Sequence, residues 1–224
     1  MIQAPNFIDL PWLQHGFGLR DSVLPGHIRI LKQIHSAIVL NAGADTAANG
    51  AQEGDALSSD RAGVLVGVKT ADCVPILLAE PSIPLVIAVH AGWRGTAENI
   101  VSAAVNELVA SWRIRPENVR AAIGPSIGVC CYEVGPEVAR HFGAWNPELA
   151  GAGGPVRLDL PAINRQQLEE TGVENIWTSG ECTFCNADKF FSWRRDRERA
   201  GRMVSFIGLP KNIGRTSVGP PGKP

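Results

Sequence analysis

The sequence predicts an α+β fold, a single layered domain with mixed β-sheets flanked by helices. Three observations carry this reading. Short apolar runs rich in Val and Ile recur between Gly and Pro residues, the pattern of buried strands punctuated by turns. Strands outnumber helices and do not alternate strictly with them, which disfavours a doubly wound parallel sheet. No internal repeat or clean linker divides the 224 residues, a length that suits one large domain or two small ones.

Strands are expected near 28–34, 64–69, 74–79, 85–90, 119–123, 156–160, 174–178, 189–194 and 203–208. The clearest helix is expected over 96–112, where Ile100, Ala103, Ala104, Leu108 and Trp112 form an apolar stripe and Thr96 can cap the start. Two further helices are expected over 136–142 and 161–171, with Gly172 ending the second. The stretches 41–54, 143–155 and 210–224 are rich in Gly, Ala, Pro or Asn and read as loops, the last as a disordered tail. The domain is therefore expected to span 1–209.

Bulk properties exclude several function classes. Hydrophobic residues make up 45% of the chain, enough for a sizeable core. The 21 basic and 22 acidic residues nearly balance, which leaves no nucleic-acid footprint and no polybasic membrane patch. The run Arg194-Arg195-Asp196-Arg197-Glu198-Arg199 mixes both signs and reads as a solvated surface. The longest apolar region, 74–89, is broken by Glu80, Pro75, Pro81 and Pro84 and cannot span a membrane as a helix. The segment from Met1 to Asn6 lacks a basic region followed by an apolar one, so a secretory signal is not expected. Five cysteines, an odd count, argue against a disulfide framework, and a cytoplasmic location is expected.

The chemistry concentrates in three places. Cys73 lies in Lys69-Thr70-Ala71-Asp72-Cys73-Val74-Pro75, at a break between two expected strands where a side chain is aimed into a pocket. A lone buried cysteine can equally be an inert small hydrophobe. His90 ends the run Leu85-Val86-Ile87-Ala88-Val89-His90 and opens the turn Ala91-Gly92-Trp93-Arg94-Gly95. Such strand ends are where α/β folds place ligands, although a satisfied core histidine would read the same way. His35 follows a third apolar run and gains meaning only with the other two. Two imidazoles and one thiolate form a soft donor set that zinc favours, with a fourth position left for water or substrate. The three are far apart in sequence, so no compact spacing supports them.

The turn at Gly92–Gly95 precedes the expected helix, where free N–H groups attract anions, and Arg94 adds a forked donor suited to phosphate or carboxylate. Cys73, His90 and Arg94 are thus the candidate catalytic residues. Asp55 and Asp72 could orient a histidine or carry a proton, or serve simply as turn residues. The pair Cys130-Cys131 and the motif Cys182-Thr183-Phe184-Cys185 invite a structural-zinc reading, but vicinal cysteines make a poor hook. Redox chemistry at Cys182 and Cys185 lacks the strand–motif–helix context it needs.

Several ordered motifs together resemble the YfiH-like family. They are Gln33-Ile34-His35-Ser36, Thr70-Ala71-Asp72-Cys73-Val74-Pro75 and His90-Ala91-Gly92-Trp93-Arg94-Gly95, then Ile123-Gly124-Pro125-Ser126-Ile127-Gly128, Cys131-Tyr132-Glu133-Val134, and Phe191-Ser192-Trp193-Arg194-Arg195-Asp196 ahead of Gly201-Arg202. That family was long labelled multicopper polyphenol oxidases or laccase-domain proteins. Its members are described as zinc-dependent purine nucleoside phosphorylases with adenosine deaminase activity, and some relatives are linked to editing of cell-wall precursors. The resemblance implies that His35, Cys73 and His90 ligate zinc and that a purine nucleoside and phosphate are the substrates. It also implies a layered α+β fold related to a group of cysteine hydrolases.

The older label can be tested on the residues. A laccase needs many histidines, several as His-x-His pairs. This chain has five, at 15, 27, 35, 90 and 141, and none forms such a pair. Two alternatives remain at this level: a metal-independent hydrolase with Cys73 as nucleophile and His90 as base, acting on amides of cell-wall precursors, and a single copper ion in the three-ligand set supporting phenol oxidation.

Overall fold

A computed structural model describes residues 1–43 and 50–211. The expected tail beyond 211 and part of the expected loop 41–54 lie outside the described residues. The strands are β1 (Gln14–Phe17), β2 (Ile28–Arg29), β3 (Val39–Asn41), β4 (Ala56–Ser59), β5 (Leu65–Thr70), β6 (Val74–Glu80), β7 (Leu85–Ala91), β8 (Arg120–Ile123), β9 (Glu133–Val134), β10 (Val156–Arg157), β11 (Asn175–Thr178) and β12 (Met203–Gly208). The α-helices are α1 (Trp93–Ala97), α2 (Ile100–Trp112), α3 (Pro136–Ala139), α4 (Pro147–Ala150), α5 (Leu160–Glu170) and α6 (Trp193–Asp196). None of the described helices is long and apolar enough to cross a membrane.

Six strands form a mixed sheet in the order β11-β8-β6-β7-β4-β3, and four more form a second sheet in the order β1-β12-β5-β2. β6 and β7 are buried along their whole length. Val74, Ile76 and Leu78 of β6 and Leu85, Ile87 and Val89 of β7 pack with Ile100, Val101, Val105 and Leu108 of α2 and with Leu160, Ile163 and Leu168 of α5. The alternate residues Leu77, Ala79, Val86 and Ala88 face Val66 and Val68 of β5 and Ile207 of β12. A sheet covered on both faces needs apolar residues at every position, so these strands read as unbroken runs rather than alternations. The result is three layers: helices, large sheet, small sheet.

The main expected strands are present, with corrections. The run 28–34 pairs only over Ile28–Arg29, with one further bridge from Lys32 to Glu53. No strand forms at 189–194. That aromatic run has strand-like composition, but Ser192 instead caps α6 through its side chain. The expected strand 156–160 stops at Arg157 because the Asp159 side chain accepts from the Ala162 N–H and starts α5, with Pro161 in the first turn, where a missing N–H costs nothing. The expected helix 96–112 is two helices. Asn99 adopts φ 59° and breaks the path, so α1 turns toward the site while α2 lies on the sheet. Thr96 is inside α1 rather than a cap; its hydroxyl accepts from Asn164 and its carbonyl from Gln167, docking α5.

Candidate active site

The strand registers assemble the site. Val74 pairs with Ala91 and Pro75 with His90, so the next step along each strand brings Cys73 beside Gly92. Ala56 pairs with Val89, which brings Asp55 beside His90. The Nδ1 of His90 lies 2.8 Å from an Asp55 carboxylate oxygen, with both side chains buried. That contact fixes the ring and leaves Nε2 as its free donor atom.

Asp55 also holds the third residue. Its carboxylate accepts the backbone N–H groups of Ile34, His35 and Ser36 at 3.2, 3.0 and 2.7 Å and the Ser36 hydroxyl at 2.8 Å. These bonds stabilise a turn in which His35 has φ 63°, a left-handed conformation uncommon outside glycine. Gln33 anchors the same segment by pairing its side-chain amide with both the N–H and the carbonyl of Lys69. Burial alone would raise the pKa of Asp55, but the bonds from His90 and Ser36 outweigh it and hold the carboxyl at about 2.

His35, Cys73 and His90 thereby present donor atoms that all lie within 4.8 Å of one another. The Cys73 Sγ is 4.0 Å from the His35 Nε2, and the two imidazole rings meet edge to face at 4.9 Å. Sulfur and nitrogen ligands on one tetrahedral zinc would be about 3.6 Å apart, so small rotations close the set. Gly92 makes room for it. A Cβ there would sit 2.8 Å from the His35 ring and 3.2 Å from the Cys73 sulfur. The residues therefore fit a metal ion, and the space they need is kept by the one residue without a side chain.

Asp72 aims Cys73. It has φ 86°, and its carboxylate accepts the Thr183 hydroxyl at 2.7 Å, the Ser192 hydroxyl at 3.0 Å and the Arg194 N–H at 2.6 Å. All three partners come from the C-terminal part of the chain. Burial opposes ionisation of Cys73, yet the His90 charge and bonds from both imidazoles bring its thiol down to about 6. Burial likewise opposes protonation of His90, and the Cys73 charge and Asp55 outweigh it, raising it to about 9. Each charge thus favours the other, thiolate beside imidazolium.

These groups floor a cavity of about 630 Å³, within the roughly 300–1,000 Å³ typical of small-molecule sites. Arg94, Arg194, Arg197, Arg202 and Lys69 line it, and Asp72 is the single acid among the lining residues. With four arginines and a lysine against one carboxylate, the lining carries a net positive charge. Trp93, Tyr132 and Trp193 contribute flat faces, and the guanidinium groups of Arg94, Arg194 and Arg202 lie 4.5, 5.2 and 5.5 Å from the Trp93, Tyr132 and Trp193 ring centres respectively.

All four sequence candidates, His35, Cys73, His90 and Arg94, meet in this cavity. The arginine run that reads as solvated surface is corrected: Arg194 and Arg197 line the cavity, and Arg195 donates to the carbonyls of Thr183, Phe184 and Phe190. Sequence reasoning also missed Arg202 and Tyr132. Clustering of four arginines directly after Trp193 was the signal available, but the interspersed acids concealed it.

A three-layer α+β fold with a His₂Cys donor set at the floor of a cationic cavity defines a class of small-molecule proteins with a potential metal centre. The chain belongs to the multi-copper polyphenol oxidoreductase laccase family, whose model matches residues 19–210. It is 43% identical over 191 residues to a purine nucleoside phosphorylase of Deinococcus radiodurans, covering 83% of this chain and 72% of that one. It is 39% identical over 163 residues to adenosine deaminase RL5 of an unknown prokaryotic organism, covering 69% and 61%. The crystal structure of the hypothetical protein YfiH from Bacillus licheniformis superposes with a TM-score of 0.76 at 34% identity, over 81% of this chain and 74% of that one.

Proposed function

We propose that this protein is a zinc-dependent purine nucleoside phosphorylase that also deaminates adenosine, with His35, Cys73 and His90 as the metal ligands. The convergence of those three donors at the floor of an arginine-lined cavity is the observation that carries the reading. The relatives named as purine nucleoside phosphorylase and adenosine deaminase supply the substrate class. A bound zinc ion in this set supplies Lewis acidity and makes water acidic near neutral pH.

The chain's own residues do the rest. Asp55 holds His90 with Nε2 toward the cavity and holds the His35 turn, so two of the three ligands share one anchor. Arg94, with Arg194, Arg197 and Arg202 nearby, binds phosphate; a fork of guanidinium donors matches its oxygens. Trp93, Tyr132 and Trp193 offer ring faces on which a purine stacks. The His90→Ala variant tests the reading. Bound zinc, phosphorolysis of nucleosides and deamination of adenosine should fall together, and full turnover by metal-free protein would overturn it.

A second reading rests on the Cys73–His90 thiolate–imidazolium pair. Such a pair is the nucleophile and acid–base partner of a cysteine amide hydrolase. The two readings part cleanly on chelated protein. A hydrolase keeps its activity there and loses it in step with alkylation of Cys73.

A further inference from the structure

The four cysteines outside the cavity set converge on one point. Cys130 and Cys131 lie in the turn after β8, and Cys182 and Cys185 lie in the turn after β11. Their four Sγ atoms all lie within 4.8 Å of one another. Cys131 and Cys130 are 3.3 and 3.7 Å from Cys185. Four thiolates around one tetrahedral zinc at about 2.3 Å stand about 3.8 Å apart, so the spacing is that of a closed S₄ shell.

From this geometry we infer a second metal centre, a structural zinc ion held by Cys130, Cys131, Cys182 and Cys185. The vicinal pair looks unsuitable in one dimension and works in three. The N–H of Cys131 and that of Tyr132 both donate to the Gly128 carbonyl, at 2.9 and 3.0 Å, and this tight turn swings the adjacent side chains to one side. Gly128 in turn donates its own N–H to the Cys182 sulfur at 3.2 Å. Bonds of this kind favour the thiolate over the thiol. Gly128 packs against the edge of the cluster, where a Cβ would lie 3.4 Å from the Cys130 sulfur and 3.6 Å from the Cys182 sulfur, in ordinary contact.

The two turns are already in register. Ser126 and Cys182 form a β-bridge, through Ser126 N–H to the Glu181 carbonyl and Thr183 N–H to the Ser126 carbonyl at 3.3 and 2.9 Å. The geometry also separates this cluster from a disulfide. A disulfide holds its sulfurs at about 2.05 Å, whereas Cys185 stands 3.3 and 3.7 Å from Cys131 and Cys130 and all four cysteines are free; one divalent cation satisfies all four at such spacing and releases their protons to solvent. Closed four-sulfur coordination leaves no position for substrate, which makes the site structural rather than catalytic.

Its work would be to brace the cavity wall. Ile127 and Tyr132 line the cavity from one metal-bearing turn, and Thr183, between the other two ligands, donates to Asp72. A metal here ties the Tyr132 wall to the segment that aims Cys73.

The experiment separates the two centres. Full-length protein is purified under reducing conditions without added metal, and zinc is measured in wild type, His35→Ala/His90→Ala, Cys130→Ser and the triple combination. The expected contents are about two, one, one and zero equivalents. Cys130 is exposed, so its serine variant perturbs packing little, and the wild-type-to-Cys130→Ser difference reads this centre even if the histidine variant fails to fold. Cobalt substitution of the His35→Ala/His90→Ala variant should give the intense visible bands of tetrahedral thiolate coordination, lost with Cys130→Ser. Zinc content unchanged by Cys130→Ser, iron in place of zinc, or a Cys131–Cys185 disulfide in reduced preparations would each overturn the inference. Loss of zinc only in the histidine variant would leave the proposed function standing and remove this one.

Discussion

Two clusters of soft side chains sit on either side of the same cavity wall, and they are built differently. The cavity set uses three donors from the ends of β6 and β7 and from the His35 turn, held from behind by Asp55 and Asp72. The corner set uses four sulfurs from two turns, held by backbone N–H groups and one β-bridge. The first offers three donors and opens on cationic space; the second offers four and lies at the surface, with Cys130 and Cys185 exposed. An open shell with carboxylate support suits turnover, while a closed one suits stability.

The largest effect that would break this contrast is at Cys73. Cys73→Ser should lower phosphorolysis and deamination by more than roughly 100-fold, beyond the usual cost of losing a supporting residue, with little change in the thermal midpoint. A variant that unfolds without losing specific activity would erase the distinction. Next is Asp55→Asn. The amide can still meet His90, but it no longer supplies two acceptor oxygens to the His35 turn, and metal affinity should fall roughly 10- to 100-fold in a chelator competition.

Gly92→Ala sharpens the geometry. The added methyl meets the His35 ring at 2.8 Å, and the ring must yield. Zinc affinity should drop by about tenfold, about 1.4 kcal/mol, while the backbone at Gly92, the N-cap of α1 with φ −75°, accepts alanine without strain. The smallest effect lies away from both clusters. Buried His15 accepts the Ala4 N–H through Nε2 at 2.9 Å, and burial lowers its proton affinity below the ordinary 6.5. A histidine whose folded value is depressed stabilises the fold above its unfolded value and loses that contribution as pH falls through 6.5 toward the folded value. Urea midpoints should therefore fall between pH 7 and pH 5, and the His15→Gln variant should flatten that slope.

The sequence made some of this visible and concealed the rest for physical reasons. β5, β6, β7 and β12 were legible because burial on both faces leaves uninterrupted apolar runs. The short β1, β3 and β4 were not. Ser58 and Ser59 of β4 are fully buried, with the Ser58 hydroxyl bonded to Asn41 and to the Leu40 carbonyl, and nothing in composition marks a satisfied serine as core. The break at Asn99 was equally hidden, since one residue in a left-handed conformation leaves the apolar stripe of α2 intact. Cys73, His90 and Arg94 were legible from residue type and position beside strand ends; His35, in a turn that β2 does not reach, was legible only as the third member of the donor set and through the family resemblance. The aspartates were half-legible: Asp72 is a turn residue, as the Asp-after-strand pattern suggests, and also an anchor for groups more than a hundred positions away. Long-range partners such as Thr183 and Ser192 carry no local signature. Neither does the meeting of Cys130-Cys131 with Cys182 and Cys185, which depends on the parallel pairing of β8 and β11.

The position of β12 has a consequence for truncation. It is the final strand of the described chain, yet it occupies an interior place in the small sheet, between β1 and β5. Asp72 likewise waits for Thr183, Ser192 and Arg194. A polypeptide lacking these later segments can pair β6 with β7, but it has neither the interior strand of the small sheet nor the partners that aim its thiol. A chain cut before Met203 would keep the three donors but lose the strand that joins β1 to β5.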